Sequence, residues 1–411
     1  MAVRQNTRII AVTGTKGKTS IARALHFVVN AISASPVLGV DTARIMLGKE
    51  QIADRSWSDY FGFGLTVCPG RALSYLAGRS IENPVAVLEV SVGSYFKGVG
   101  YRNHEIGIFT NVYDAHIDGC TIKNREDLAR KKGKIIFDRI AQDGVAIFNA
   151  DDELVVSNAV SLSKTVTRVA CTLRSNKMVG FDYLVTIVDS KVVMYRGKKH
   201  VFSEDISDML LAYEGKHEPS LYNLCFILSA LWFYCKGDST IFDRAMEALR
   251  LYIPSEEGGR MVIRTASNGA KVILDFAHEV NSIIQIADFG RKLTAKDGRV
   301  LGVVRITGSA LDERIWTEAQ KWTVCFDELI IYDKNSDGAV NSRPVGEVPT
   351  IISVAAAKNG VSNVVVVHRK DALKTAYKKS NRGDVIIFIV RDDGKDYQTA
   401  NEVFHFEKEM E

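Results

Sequence analysis

Short β-branched runs alternate with helical stretches through the first half of the chain. RIIAVT (8 to 13) leads into a helix that starts near Thr19, and VAVLEV (85 to 90), IGIFTN (106 to 111) and VAIFNA (145 to 150) follow at βα spacing. That rhythm predicts βαβ units and a mainly parallel sheet. Between about 165 and 205 only strands appear, YLVTIV and KVVMYR separated by Asp189 and Ser190, which predicts a hairpin insertion at the sheet's edge. A helical region from about 220 to 251 contains the longest apolar stretch, LYNLCFILSALWFYC at 221 to 235. It is shorter than a membrane span, is interrupted by Asn223 and Ser229, and reads as a core helix. IPSEEGG (253 to 259) then punctuates the chain, dividing it into expected domains 1 to 253 and 254 to 411. The second half resumes the alternation with VILDFA, VLGVVRI, ELIIYD, NVVVVH and DVIIFIV, as a smaller Rossmann-like α/β domain would. In such sheets ligands sit at the carboxyl ends of the strands.

Composition narrows the classes. With 411 residues the chain is too long for one compact core. Its 46% hydrophobic and 25% charged residues predict folding throughout. A net charge of +4, with no basic block longer than RKKGK (130 to 134), argues against nucleic acid as a partner. The N-terminus shows no apolar segment followed by a cleavage site, and the six cysteines have no paired spacing. Both features predict a cytoplasmic chain with reduced thiols and no membrane partner; a homo-oligomer stays open, and small-molecule substrates are what the motifs below imply.

The strongest signal is GTKGKTS at 14 to 20, between a β-branched run and a helix. Gly14 and Gly17 let the backbone curl so that the N–H groups of Thr15, Lys16 and their neighbours face an anion, and the following helix adds its dipole. Lys18 is the expected partner of nucleotide phosphates and Thr19, followed by Ser20, the expected Mg²⁺ ligand. The loop alone specifies a nucleotide and not a reaction.

Its GTKGKTS form resembles the ATP loop of the Mur ligase family, and the likeness continues along most of the chain, most closely to the Mur-like half of cyanophycin synthetases. VAVLEVSVGSYFKGVGY (85 to 101) is similar to the family's strand ending in a Mg²⁺-binding glutamate, here Glu89. FTNVYDAHID (109 to 118) resembles the TN segment that ends in a metal-binding histidine, here His116, although Ala115 stands where the family carries an acidic residue. EDLARKKGKIIF (126 to 137) resembles the helix whose lysine is often carbamylated; register points to Lys132, with Lys131 and Lys134 as competitors. GKHEPSLYNLCFILSAL (215 to 231) is similar to the helix whose asparagine contacts adenine, which makes Asn223 the candidate, at a longer spacing from His217 than usual. GGRM (258 to 261) and DFAH (275 to 278) resemble the linker arginine and the segment that meets ATP, giving Arg260, Asp275 and His278. Glu279 and Val280 replace the Asn and Pro that normally follow. TGSALDERI (307 to 315) and SRPVGEV (342 to 348) look like stretches near the amine-substrate pocket, with Asp312 and Arg314 as candidates.

The resemblance implies a P-loop central domain with a mainly parallel sheet joined to a Rossmann-like C-terminal domain. It also implies an ATP- and Mg²⁺-dependent ligase that forms ADP and acts on an amino acid or peptide through an acyl phosphate. In this reading Lys18, Glu89, His116, Lys132 and Arg260 are catalytic. Because the loop begins at residue 14, no room is expected for the N-terminal substrate domain of cell-wall Mur ligases. A phosphate-loop kinase or NTPase shares residues 14 to 20 but has no need of DFAH, and Ala115, Glu279 and Val280 are the features that a degenerate ATP-binding scaffold would show.

Overall fold

The computed structural model describes residues 7–54, 58–61, 64–67, 69–114, 117, 120–174, 180–254, 259–306, 311–333, 343–390 and 395–407. Two compact units divide the chain, Met1–Ile253 and Pro254–Glu411.

The strands of the first unit are β1 (Arg8–Thr13), β2 (Leu38–Val40), β3 (Arg44–Leu47), β4 (Glu50–Asp54), β5 (Ser58–Phe61), β6 (Gly64–Val67), β7 (Val85–Glu89), β8 (His104–Phe109), β9 (Ile140–Asn149), β10 (Thr167–Cys171), β11 (Tyr183–Val188), β12 (Lys191–Arg196) and β13 (Lys199–Asp205). All but β5 and β6, which pair with each other, join one sheet in the order β13-β12-β11-β10-β9-β8-β1-β7-β2-β3-β4. Neighbours from β11 to β2 run parallel, and antiparallel strands extend both edges.

The parallel strands are apolar on both faces because both are covered. Ile10 and Val12 of β1 point into a core completed by the helices Lys18–Ile32, Glu218–Tyr234 and Ser239–Arg250, while Ile9 and Ala11 point into a second core with Pro69–Ala77, Arg125–Ile136 and Glu153–Ala159. The apolar stretch at 221 to 235 is therefore a core helix, as expected, and among the described residues no helix is long and apolar enough to cross a membrane. The segment expected as an edge hairpin continues the sheet itself, since β11 pairs in parallel with β10. Asp189 and Ser190 both take positive φ, 47° and 60°, as a two-residue turn between β11 and β12 requires.

The second unit contains β14 (Val262–Thr265), β15 (Lys271–Asp275), β16 (Val300–Val304), β17 (Glu328–Tyr332), β18 (Ser362–Val366) and β19 (Val385–Ile389), in the order β14-β15-β19-β16-β17-β18. Only the edge strand β14 is antiparallel. Glu279 caps the helix Val280–Leu293 by accepting hydrogen bonds from the N–H groups of Asn281 (2.9 Å) and Ser282 (2.8 Å). A carboxylate can cap a helix as an Asn side chain does, and Val280 occupies the first helical position, where Pro is favoured but not required.

His104, at the amino end of β8, is 2% exposed, and burial pushes its pKa down to about 3. An unfolded histidine titrates near 6.5, so the unfolded chain binds the extra proton. The stability contributed by neutral His104 is fully present above that pH and is lost as pH falls toward 3, by an amount on the order of 4 kcal/mol. Urea unfolding from pH 7 to pH 4 is expected to show this slope in the wild type and a shallower one in His104→Gln. Parallel slopes would mean that other groups dominate the acid response.

Candidate functional site

β8, β1 and β7 are adjacent and parallel, and they end together: Val12 is registered with Glu89 and Thr13 with Phe109. The carboxyl ends of three strands therefore converge where the chain leaves β1 for the loop 14–17 and enters the helix Lys18–Ile32. Gly14 and Gly17 have φ of 143° and 85°, conformations that L side chains rarely adopt. A Cβ at Gly14 would lie 1.9 Å from Thr110 Oγ1, and one at Gly17 would lie 2.5 Å from Asn223 Oδ1. Asn223 is thus packed against the loop from the helix Glu218–Tyr234, despite its unusual spacing from His217.

The TN dipeptide after β8 grips the loop's outer side. Asn111 accepts from the N–H of Thr15 on its carbonyl (2.9 Å) and from the N–H of Lys16 on Oδ1 (2.8 Å), while Thr110 Oγ1 donates to the Lys16 carbonyl (2.6 Å). The N–H of Tyr113 donates to Thr15 Oγ1 (3.0 Å), and Asp152 after β9 accepts from the N–H of Val112 (2.8 Å). Preorganisation of the loop therefore comes from β8 and β9, a role for Thr110, Asn111 and Asp152 that the sequence reading did not assign.

On the loop's inner side, Lys18 Nζ donates to the Thr15 carbonyl (3.0 Å) and lies 3.9 Å from Glu89 Oε1. Glu89 is 3% exposed at the end of β7, and its Oε2 accepts from Thr19 Oγ1 at 2.8 Å. The same oxygen accepts from the N–H (3.2 Å) and Oγ1 (3.0 Å) of Thr42, just beyond β2. Ser20 sits in the first helical turn. Lys132 is 1% exposed and its Nζ donates to the Gly14 carbonyl at 2.7 Å. Burial pushes its pKa well below the ordinary lysine value; the nearby Lys18 charge adds to that effect and Glu89 opposes it. The competitors are engaged elsewhere: Lys131 pairs with Asp127 and lies over the Tyr95 ring, and Lys134 is exposed. His116 and Ala115 lie outside the described residues.

The second unit forms its own cluster around Phe276. The Arg260 guanidinium lies 4.6 Å from the centre of that ring, the His278 ring also lies 4.6 Å away, and Asp275 accepts from the N–H of Met261 at 3.0 Å. Arg260, Asp275 and His278 are therefore together. Asp312 and Arg314 are not: residues two apart on a helix do not face one another. Asp312 pairs with Arg343 (2.5 Å), which also holds Glu347 (2.7 Å), whereas Arg314 pairs with Glu318 along the surface of its own helix. Residues 307–310 and 342 of the two expected amine-pocket stretches lie outside the described residues; Arg343 joins what is described of them.

Residues 12–203 match the family model of the Mur ligase middle domain, and residues 259–389 match that of the Mur ligase, glutamate ligase domain. The chain belongs to the Mur ligase family. It is 24% identical over 396 residues to the cyanophycin synthetase of Geminocystis herdmanii, an alignment covering 93% of this chain and 42% of that protein. The chain thus spans about two fifths of the length of the curated cyanophycin synthetases that it matches. It is also 24% identical over 412 residues to the UDP-N-acetylmuramoyl-L-alanyl-D-glutamate–2,6-diaminopimelate ligase of Clostridioides difficile, covering 98% of this chain and 76% of that one. Among solved structures, a bifunctional folylpolyglutamate synthase/dihydrofolate synthase with Mn, AMPPNP and L-glutamate bound has a TM-score of 0.63 at 15% identity, covering 97% of this chain and 89% of that one. E. coli FolC in complex with DHPP and ADP has a TM-score of 0.61 at 14% identity, with coverage of 97% and 88%. These structures share the Mur ligase fold with this chain.

Proposed function

We propose that this Mur ligase family chain is an ATP-dependent ligase that phosphorylates a carboxylate, releases ADP and couples the acyl phosphate to an amine. The observation that carries this reading is the convergence of Lys18, Lys132 and Glu89 on one phosphate loop at the ends of β8, β1 and β7. The relatives are named as ligases and synthetases, and solved proteins of the same fold carry ADP, or AMPPNP with Mn and L-glutamate.

A carboxylate resists amines because its oxide is a poor leaving group, and transfer of the γ-phosphoryl replaces oxide with phosphate. Lys18 and the amino end of the helix Lys18–Ile32 hold the phosphates and stabilise charge on the group in transfer, while the N–H groups of Thr15 and Lys16, which the sequence pattern turned toward the anion, are bonded to Asn111 instead. Asn223, against Gly17, is assigned to the adenine side. The hydroxyl of Thr19 and the carboxylate of Glu89 are hard oxygen donors that fit Mg²⁺ and would hold it. When bound, that ion neutralises phosphate oxygens. Lys132, an amine that loses its proton readily, is suited to carbamylation. An amino acid or peptide is the proposed carboxylate and an amino acid the proposed amine, with His278 and the Asp312–Arg343 corner assigned to the amine side.

Trapping with hydroxylamine tests the order of events. Given ATP and a carboxylate but no amine, the protein is expected to yield a hydroxamate with ADP in step. Glu89→Gln and Arg260→Ala are expected to lose hydroxamate and amide together, and Asp312→Asn to lose the amide alone. A phosphate-loop kinase gives a stable phosphate ester instead. Release of AMP with the productive substrates would overturn the proposal.

A further inference from the structure

Glu89 does not fix its own carboxylate. Oε2 takes three protein donors, and two of them come from Thr42, which lies in the turn Asp41–Ala43 between β2 and β3. A turn of this kind has other ways to satisfy its backbone, so something must pin it. Asp41 does so within the turn: its Oδ1 accepts from the N–H groups of Ala43 (2.8 Å) and Arg44 (3.2 Å). Asp41 is in turn clamped by Arg23, whose Nε donates to Oδ2 at 2.7 Å and whose Nη2 donates to Oδ1 at 3.1 Å. Both residues are more than nine-tenths buried. Arg23 lies four residues beyond Thr19 on the same helix, so the two share a face of it. One rigid helix therefore presents Lys18 and Thr19 to the loop and, through Arg23 and Asp41, sets Thr42 against the carboxylate.

Stability alone gives little reason for this arrangement. A buried ion pair gains little over apolar residues of the same volume, because desolvation offsets most of the attraction. What the pair adds is a fixed direction, through two parallel charge-assisted bonds.

We infer that the Arg23–Asp41 pair is a positioning device for the cation site: it seats Thr42 on Oε2 of Glu89, so that Oε1, 3.9 Å from Lys18 Nζ, is the oxygen presented to Mg²⁺. This rests on the proposed reading of Glu89 as a Mg²⁺ ligand. Arg23 and Asp41 touch neither substrate nor metal in this scheme, and their effect is on the geometry of a residue that does.

Calorimetric titration of Mg²⁺ into the full chain saturated with ADP, alongside titration of ADP without metal, tests the inference. Arg23→Lys keeps the charge but loses the fork, and Asp41→Asn keeps the shape. Each is expected to weaken Mg²⁺ binding about tenfold, the scale on which residues behind a metal ligand act. ADP affinity without metal is expected to stay at the wild-type value, and the ligase assay should show a rise in the KM for Mg²⁺ larger than any fall in kcat. If both variants fold and bind Mg²⁺ like the wild type while Glu89→Gln does not, the pair is structural and the inference fails. If Glu89→Gln also binds Mg²⁺ unchanged, the reading of Glu89 itself fails. Should Asp41→Asn not fold, Thr42→Val decides, because it removes one hydroxyl from a half-buried turn; unchanged Mg²⁺ affinity there overturns the relay.

Discussion

Replacing Lys18 with alanine is expected to reduce ATP-dependent turnover about a thousandfold while the protein stays folded. The protein itself orients the ammonium: it is tied to the Thr15 carbonyl at 3.0 Å and lies 3.9 Å from Glu89 Oε1. The side chain is only 15% exposed, because the curl of residues 14–17 folds it back over its own loop. Truncation removes the hydrogen bond to the Thr15 carbonyl, worth about 1 kcal/mol, and some packing of the stem, which a unit with two extended cores tolerates. Loss of positive charge at the transferred phosphoryl is not made good by the buried Lys132, which is committed to the Gly14 carbonyl and holds its proton weakly. Arginine at position 18 is not expected to restore function, since a planar fork does not reproduce a compact ammonium donating to one carbonyl. Steady-state ADP release, with a thermal melt as the control for folding, reads the result. Turnover near the wild-type rate would remove the phosphate-loop assignment.

What could be read from the sequence is what local pattern encodes. β1, β7, β8 and β9 are apolar on both faces, so their runs stand out, and GTKGKTS falls between a strand and a helix as its chemistry demands. The register of Lys132 was also present: Leu128, Lys132 and Ile136 lie four apart on the buried stripe of the helix Arg125–Ile136, whereas Lys134 falls off it. Thr42 was invisible for the opposite reason. β2 has three residues, β3 and β4 are partly exposed, and the contact with Glu89 spans 47 positions, so neither periodicity nor spacing signals it. The Arg23–Asp41 clamp is likewise a tertiary fact, since an arginine in a helix pattern reads as solvated until the strand that carries its partner is paired. Arg314, which the resemblance of TGSALDERI names with Asp312, pairs with Glu318 along its own helix while Asp312 pairs with Arg343, a separation that follows from two-residue spacing on a helix.

Lys132→Met is expected to abolish ligation and yet to stabilise the fold. The unmodified amine is 1% exposed and burial holds its pKa well below the ordinary value, so the unfolded chain binds that proton more tightly than the folded one. The sign follows directly. Stability is reduced at neutral pH and recovers as pH rises toward the unfolded lysine value of about 10.4, which is the reverse of a lysine that gains a carboxylate partner. Methionine has a similar length and no proton to bind, so it removes this penalty. It also leaves the Gly14 carbonyl without its 2.7 Å donor, a loss of about 1 kcal/mol that offsets part of the gain. Urea unfolding is therefore expected to show the variant more stable at pH 7, with the gap narrowing steadily as pH rises toward the unfolded lysine value of about 10.4. Activity is expected to move the other way, because the Lys132 amine sits on the Gly14 carbonyl of the loop and within the influence of Lys18 and Glu89. The amine is poor at keeping its proton and so is suited to react with CO₂. Isotopically labelled bicarbonate should accordingly give a carbamate resonance in the wild type that Lys132→Met lacks. A variant less stable than the wild type at pH 7, with the gap constant up to pH 10, would show that Lys132 is an ordinary charged lysine and would remove its assigned role at the phosphate loop.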